Sequence, residues 1–380
     1  MILKLTLLHI FAAACLAGLV TAVVGRAAGD VSGPEEKIRI ALVRNVSAVT
    51  VDAEGLAAFR ENGRQIDIAP PVVVRAAGDG LLVQGVTCRK VTFSAPAAIS
   101  VNGKPYRGRA EITAADKGLL VINELPLEEY LVGLINCEIS SSWPIEAVKA
   151  QAVIARTYAL NRREVRKNAL YHLESSVLDQ VYDGCEIEDN RARRAVQDTS
   201  GQVLTHNGAV IQAYYHSNCG GRTEASENVW GARLPYLAGV DCVYCLLSPS
   251  SYWEYSCSLK DIEEKLRSSG MKIAGVTGIR PGNRNSRGRL KHVVVTASSG
   301  DVSLAGDQFR KAMGYSVIKS TSFTVDVSGG AVVFTGVGNG HGVGLCQWGA
   351  KQRALDGFSY TEILAYYYPG TRLKKFSEIR

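Results

Sequence analysis

One carboxylate stands out in the segment INCEISSSWPIEAVKAQAVIARTYAL, residues 135–160. Glu138 follows an apolar stretch and precedes Pro144, where a helix is expected to begin. Among apolar neighbours a carboxyl group loses hydration, and its pKa rises as a general acid needs near neutral pH. The N-terminus of the following helix would act in the opposite direction, because the helix dipole favours the anion. Two interpretations of Glu138 stay open, a catalytic acid and a carboxylate in the turn before a helix.

The cysteines have a more specific spacing. His216 and Cys219 form an H-x2-C pair, and Cys242 and Cys245 form a C-x2-C pair. Imidazole and thiolates are ligands of tetrahedral zinc, and four protein ligands would close the site and make the metal structural. We therefore predict zinc on these four residues, with Cys257 as an alternative to His216. Disulfide bonds are the competing interpretation for an exported protein.

Other catalytic patterns have little support. Residues 336–345, GVGNGHGVGL, lack the spacing G-x-G-x-x-G, so a dinucleotide site is not indicated. Their alternating glycines favour either a close approach of the backbone to another group or a glycine-rich hairpin or bulge. No G-x-S-x-G element is present, and residues 140–142 have no nearby base, which argues against a serine hydrolase. Four histidines have no usable partner spacing: His9, His172, His206 and His292.

Short strands followed by isolated helices must position these residues. Residues 37–120 alternate apolar and polar positions between turn residues, which predicts an antiparallel β region. The strongest helix is predicted from Pro144 to about residue 167, with a stripe of small residues and a cap at Ser142 or Trp143. Regular strand–helix alternation is missing, so we assign the α+β class, an antiparallel strand-rich domain with isolated helices.

Local motifs predict further elements. A hairpin is expected around Asn207-Gly208. Capping boxes are expected where Ser258 precedes Asp261 and where Ser359 precedes Glu362, each at the start of a helix.

The first 29 residues have one lysine, a continuous apolar run and then small residues. This layout predicts a secretory signal peptide, or an uncleaved N-terminal membrane anchor, and hence export to the periplasm or cell envelope. The net charge of +7 favours anionic partners. No basic stripe is interleaved with aromatic residues, so nucleic acid is not expected; cell-wall polymers or membrane surfaces suit an exported protein better.

Three segments resemble the stage II sporulation protein D/LytB (SpoIID/LytB) family. LPLEEYLVGLINCEISSSWPIEAVKAQAVIARTYAL is similar to its first signature, YYHSNCGGRTEASENVWG with PYLAGVDCVYC to its middle section, and GNGHGVGLCQWGAKQRALDGFSYTEILAYYYPGT to its C-terminal signature. They follow the family's order between residues 125 and 371. The resemblance implies a SpoIID-like catalytic-type domain over residues 121–375, preceded by a β-rich part over residues 36–120.

The resemblance implies a lytic transglycosylase that cleaves the β-1,4 bond between N-acetylmuramic acid and N-acetylglucosamine in peptidoglycan, preferring glycan strands without stem peptides. The catalytic glutamate of the family motif E-[IM]-x-S-x-W-P corresponds to Glu138. It would protonate the leaving oxygen, then act as base while the C6 hydroxyl closes a 1,6-anhydro ring. One carboxylate suffices because the sugar's hydroxyl is the nucleophile. The motif match adds candidate wall-facing residues: Ser142, Gln151, Arg156, His216, His341, Gln347 and Trp348.

Several alternatives accompany this expectation. The protein could instead be a non-catalytic wall-binding enhancer of an N-acetylmuramoyl-L-alanine amidase, or a zinc-dependent hydrolase. Gln151 and Arg156 are expected on the exposed side of their helix, although Arg156 could form a structural ion pair; Trp348 could stack on a sugar or lie in the core. Cys137 and Cys346 replace small or apolar residues and could pair. A role in sporulation does not follow, since relatives occur in bacteria without spores.

Overall fold

The computed structural model describes residues 36–177, 179–249 and 251–379. The predicted signal peptide or anchor, residues 1–29, lies outside this range. Within the described residues, every helix is too short or too polar to cross a membrane.

Antiparallel strands fill the region before the first helix, which confirms the predicted β region. Their bounds are β1 Lys37–Val46, β2 Ala48–Asp52, β3 Ala57–Arg60, β4 Gln65–Ile66, β5 Val72–Ala77, β6 Gly80–Val83, β7 Val86–Cys88, β8 Lys90–Ser94, β9 Ile99–Val101, β10 Lys104–Tyr106, β11 Arg109–Ala115 and β12 Gly118–Pro126. One sheet has the order β1-β12-β11-β8-β3-β4 and another the order β10-β9-β2-β5-β6-β7. Alternate residues, such as Val72 and Val74, enter one shared hydrophobic core.

The second half of the chain mixes helices with short strands, and the α+β class is confirmed. The elements are α1 Leu127–Glu138, α2 Ile145–Val165, β13 Leu173–Glu174, α3 Asn190–Asp198, β14 Gln202–His206, β15 Ala209–Val210, β16 Tyr215–His216, α4 Ser226–Trp230, β17 Tyr252–Ser258, α5 Leu259–Ser268, β18 Val276–Pro281, β19 His292–Ala297, β20 Val302–Ala305, α6 Gly306–Met313, β21 Phe323–Ser328, β22 Ala331–Val337, β23 Leu345–Cys346, α7 Gln347–Leu355, α8 Tyr360–Tyr367 and β24 Arg372–Lys375.

Helices α1 and α2 pack against each other at the centre of the fold. The predicted small-residue stripe of α2 is fully buried, which lets the backbones approach closely. The predicted cap at Ser142 or Trp143 is wrong: Pro144 is the residue before the helix, and no side chain bonds to the free amides there. Proline suits this position because N–H groups at the N-terminus of a helix have no partner within the helix, so the N–H that proline lacks is not needed.

The remaining local motifs are confirmed. Strands β14 and β15 pair across Asn207 and Gly208, which both have positive φ angles as a two-residue hairpin turn requires. Both capping boxes form, with Ser258 and Asp261 opening α5 and Ser359 and Glu362 opening α8.

Strands β17 to β22, with α5 and α6, form an inserted module that has its own hydrophobic core around Phe309, Phe323 and Phe334. The chain leaves the main fold after the second cysteine pair and returns to it through the glycine-rich segment. This excursion separates the middle motif from the C-terminal motif by about a hundred residues of sequence.

Candidate functional site

Glu138 is the last residue of α1, so it lies at a helix C-terminus and not in the turn before a helix as one interpretation expected. Its partly buried carboxylate lies between two parts of the chain that are distant in sequence. The Val181 amide donates to Oε1 across 3.3 Å, and the side chains of Tyr215 and Gln347 also bond to the carboxylate. The fold therefore brings together the first, middle and C-terminal motifs at one carboxyl group.

Neutral side chains hold the two partners of Glu138 in place. The Gln180 amide donates to the Tyr215 hydroxyl across 3.1 Å, and the buried Tyr130 hydroxyl donates to the same Gln180. On the other side the Gln347 amide donates to Oε1 of Gln151 across 3.3 Å. These bonds fix the tyrosine and glutamine around Glu138, as an orienting shell does in many active sites.

Burial raises the pKa of Glu138 to about 7, although hydrogen bonds from Tyr215, Val181 and Gln347 pull it back. Each of these partners is uncharged, so none supplies the Coulombic attraction that would keep the carboxylate ionised. The C-terminal end of α1 acts in the same direction as burial, because its partial negative charge disfavours an anion. A substantial fraction of Glu138 is therefore protonated near neutral pH and can donate a proton.

Two tryptophans pack against each other near the start of α7. The rings of Trp143 and Trp348 are 5.0 Å apart, and each side chain is partly exposed. Trp348 follows Gln347, which bonds to Glu138, directly in α7. Ser142 is exposed and shares a 2.7 Å hydrogen bond with Ser140. Trp348 thus lies at the surface, where a sugar ring can stack on it.

Three residues near the site were not predicted from the sequence: Tyr215 and Gln180, which support Glu138, and Trp143, which packs against Trp348. Trp143 lies within the first signature, and Tyr215 immediately precedes His216, so both had a signal in the motifs. Gln180 had none: it reaches the site through a loop between α2 and α3.

The prediction that Gln151 and Arg156 face solvent is wrong. Gln151 is 1% exposed and contacts Gln347, as described above. Arg156 is fully buried, and its guanidinium forms two 2.7 Å hydrogen bonds with the Glu128 carboxylate. Of the two roles considered for Arg156, the structure supports a structural ion pair. This pair joins α2 to α1.

The alternating glycines let the backbone pass tightly over His216 and a buried arginine. At Gly340, with φ of 112°, a Cβ atom would lie 2.6 Å from Cβ of His216, and at Gly342 it would overlap the Arg289 guanidinium. Of the two interpretations of the alternating glycines, close approach of the backbone to another group is therefore correct, and a glycine-rich hairpin or bulge is not. Within this segment His341 contacts the rings of Trp230 and His216.

Both histidines are neutral. Burial lowers the pKa of His341 to about 3, with Arg310 and Arg289 acting in the same direction. Burial also holds the pKa of His216 far below its usual range. His216 is 5% exposed and lies under the glycine segment, so it does not face the wall as expected.

A cluster of buried thiols lies behind the site. The sulfur atoms of Cys219, Cys242, Cys245 and Cys346 all lie within 4.8 Å of one another. The predicted ligand set is therefore corrected at one position, where Cys346 replaces His216. Cys346 lies on β23, and the pairing of β23 with β16 brings its sulfur atom to the other three. His216 instead turns its Nδ1 to the Val343 carbonyl at 3.1 Å.

Cys257 and Cys137 take no part in this cluster. Cys257 lies on β17 in the inserted module. Cys137 contacts the Gly133 carbonyl of its own helix, and both Cys137 and Cys346 are free thiols, so the pairing that the sequence allowed does not form.

The geometry of the thiol cluster fits a tetrahedral metal. Bonds of about 2.3 Å to zinc would set the sulfur atoms about 3.8 Å apart. The backbone amides of Cys219 and Gly349 donate to Cys346 Sγ at 3.3 and 3.4 Å, as is typical of thiolates. The Tyr367 hydroxyl lies 3.1 Å from Cys242 Sγ. Arg289 is also buried here and donates to the Cys219 carbonyl, and its positive charge suits a cluster of thiolates.

The fold and site define an α+β protein with one glutamate of raised pKa, bonded to Tyr215 and Gln347. Comparisons agree with this class. A family model described as stage II sporulation protein (SpoIID) matches residues 115–206, and a domain of unknown function (DUF8618) matches residues 250–344, which cover the inserted module.

Curated relatives extend the match over most of the chain. An uncharacterized protein of Brachyspira hyodysenteriae is 31% identical over 78% of this chain and 79% of its own length. Stage II sporulation protein D of Bacillus subtilis is 30% identical over 67% and 76%. The amidase enhancer of Bacillus subtilis is 32% identical over 75% of this chain and 46% of its own length. The chain belongs to the stage II sporulation protein D family, as its three motifs predicted.

Proposed function

We propose that this protein is a peptidoglycan lytic transglycosylase with Glu138 as its acid and base. Membership of the family and the relative named an amidase enhancer support a function at the cell wall. One observation carries the finer proposal: Glu138 has a pKa of about 7 and, among the described residues, only neutral hydrogen-bond partners. A hydrolase of the ordinary kind would need a second carboxylate beside it.

The proposed reaction uses one carboxyl group twice, first as an acid and then as a base. Protonated Glu138 donates its proton to the glycosidic oxygen while the bond from C1 of N-acetylmuramic acid breaks. The resulting carboxylate then accepts the proton of the C6 hydroxyl, whose oxygen forms the new bond to C1. The products are a free C4 hydroxyl on N-acetylglucosamine and a 1,6-anhydro ring, and no water is consumed. Tyr215 and Gln347 stabilise the carboxylate between the two steps.

The test is incubation of the exported domain with glycan strands that lack stem peptides, followed by mass spectrometry. We expect anhydro-muramyl ends from the wild type and none from Glu138→Gln. Glu146→Gln is the matched control, because Glu146 lies eight residues away and bonds to Lys149 and the Tyr360 amide. Reducing ends in place of anhydro ends, or products that persist in Glu138→Gln, would overturn the proposal.

A second candidate function is enhancement of an N-acetylmuramoyl-L-alanine amidase without catalysis. The similarity to the Bacillus subtilis amidase enhancer favours it. Under this alternative Glu138→Gln would stimulate a purified amidase as strongly as the wild type, and glycan strands would stay intact in both reactions.

We further propose a structural zinc ion on Cys219, Cys242, Cys245 and Cys346. The metal would tie the middle motif to the start of α7 and so hold Gln347 against the acid. Elemental analysis should find about one zinc per chain, lost in Cys346→Ser but retained in His216→Gln and Cys257→Ser. Metal-free protein whose cysteines resist alkylation until reduced would favour disulfides instead.

A chelator separates a structural metal from a zinc-dependent hydrolase. If the metal is structural, its removal lowers the unfolding temperature along with activity. A hydrolase would lose activity while the fold kept its stability.

Export to the periplasm or cell envelope is also proposed, from the apolar run in residues 1–29. Cell fractionation and the mass of the mature chain would distinguish a cleaved signal peptide from a retained membrane anchor.

A further inference from the structure

Lys351 is a cation held over the rings of Trp143 and Trp348. Its Nζ lies 5.0 Å from the ring centre of Trp143 and 4.6 Å from that of Trp348. Lys351 follows Gln347 by four residues in α7, so it lies on the same face of the helix, about 6 Å further along the axis. Gln347 itself bonds to Glu138. The backbone of Lys351 is thus one helical turn from that of Gln347, the residue of α7 that contacts the proposed acid.

Lys351 has no carboxylate within ion-pair distance among residues 36–177, 179–249 and 251–379. Neighbouring cations are already engaged. Arg353 stacks on the rings of Phe358 and Tyr366, and Arg191 donates to the carbonyl oxygens of Ser141 and Trp143. Among the residues that the structure describes on this side of α7, Lys351 therefore has N–H donors available for a ligand.

The indole rings restrict the position of this ammonium without using its hydrogen-bond donors. A cation over an aromatic face is attracted by the ring quadrupole, and two rings limit the rotamers of a long side chain. Less entropy is then lost when the lysine binds a ligand. The arrangement is that of a prepared binding site for an anionic group next to a sugar-stacking surface.

We infer that Lys351 binds the free lactyl carboxylate of an N-acetylmuramic acid unit and so selects glycan strands without stem peptides. The inference rests on the proposed function, since it takes peptidoglycan as the ligand. A stem peptide converts this carboxylate into a neutral amide. A charge-assisted hydrogen bond to Lys351 is therefore available only in the stripped strand.

The experiment compares two substrates that differ only at this group. One is a glycan strand with free lactyl carboxylates; in the other, these carboxylates are coupled to methylamine to give neutral amides. Both are offered to the wild type, Lys351→Gln and Lys351→Arg, and kcat/KM is measured for each. Lys311→Gln is the charge-matched control, because Lys311 is exposed on α6 in the inserted module.

We expect the wild type and Lys351→Arg to prefer the carboxylate strand by about tenfold or more, the usual contribution of a charged hydrogen bond. Lys351→Gln should lose this preference while it cleaves the amide strand at the wild-type rate. Lys311→Gln should keep it. Equal losses on both substrates, or a wild type without preference, would overturn the inference.

Binding separates this inference from the proposed catalysis. Glu138→Gln, with and without Lys351→Gln, is titrated with both strands, and tryptophan fluorescence reports on binding. If the wild type cleaves neither strand, the enzymatic proposal fails, yet carboxylate-dependent binding that disappears with Lys351 still supports the lysine's role. Binding that is the same for both strands refutes that role.

Discussion

Ionisation of Glu138 should make the stability of the folded protein depend on pH. The pKa of its carboxyl group is about 7 in the folded state, compared with an ordinary value of 4.5. Below about pH 4.5 the group is protonated in both states, and the folded protein has its full stability from this site. Between these pKa values the unfolded chain loses the proton and the folded chain keeps it, so the free energy of unfolding falls as pH rises. Above about pH 7 the loss levels off.

The size of the effect follows from the two pKa values. Each pH unit between them corresponds to about 1.36 kcal/mol, so the full loss is about 3 kcal/mol. Between about pH 5 and about pH 8.5 the same relation gives about 2.5 kcal/mol. Glutamine at position 138 cannot ionise and escapes this penalty. Relative to the wild type, Glu138→Gln should therefore gain about 2.5 kcal/mol of stability over that interval.

Urea unfolding followed by tryptophan fluorescence at both pH values measures this difference. Glu54→Gln is a suitable control, because Glu54 is exposed in the turn between β2 and β3 and its substitution should leave the pH dependence unchanged. If the difference between Glu138→Gln and the wild type were the same at both pH values, burial would not hold the proton on Glu138. The assignment of this residue as a neutral-pH acid would then be wrong.

Further predictions concern the supports of the site. Tyr215→Phe removes a hydrogen bond that favours the ionised acid, so the alkaline limb of the activity profile should move up by about 1 pH unit; an unchanged or lower limb would contradict this. Glu128→Gln leaves the buried Arg156 without its counter-ion and should lower the free energy of unfolding by about 2 kcal/mol or more in a urea titration, with the activity profile unmoved. Gly349→Ala would place Cβ 2.6 Å from Cys242 Sγ, and about tenfold weaker zinc affinity is expected in a chelator competition; unchanged affinity would argue against the metal.

The inserted module shows how a long excursion can still serve the site. Arg289 follows β18 in this module, yet its guanidinium lies under Gly342 and donates to the Cys219 carbonyl. The module is thereby fastened to the thiol cluster by a buried charge. Glu224 adds to this connection, because its carboxylate accepts a 2.8 Å hydrogen bond from Asn285 of the module.

Several features could be predicted from sequence because local interactions determine them. The alternation of residues 37–120, the hairpin at Asn207-Gly208 and both capping boxes depend on neighbours a few residues apart. The order and content of the three motifs determined the family. Cysteine spacing identified three members of the thiol cluster, because pairs of residues three positions apart can meet within one turn.

Tertiary structure decided which of these residues meet. Arg156 and Gln151 were predicted to be exposed because helical periodicity shows which residues share a face of α2 but not which elements pack against that face. In the structure α1 covers Arg156 and α7 covers Gln151. Cys346 displaced His216 from the thiol cluster because the pairing of β16 with β23 brings Cys346 to Cys219, a residue 127 positions away in the sequence. The sequence alone marked Glu138 through its motif. Its raised pKa arose only when folding surrounded the carboxyl group with Tyr215, Gln347 and apolar side chains at a helix C-terminus, because desolvation depends on every neighbour in space.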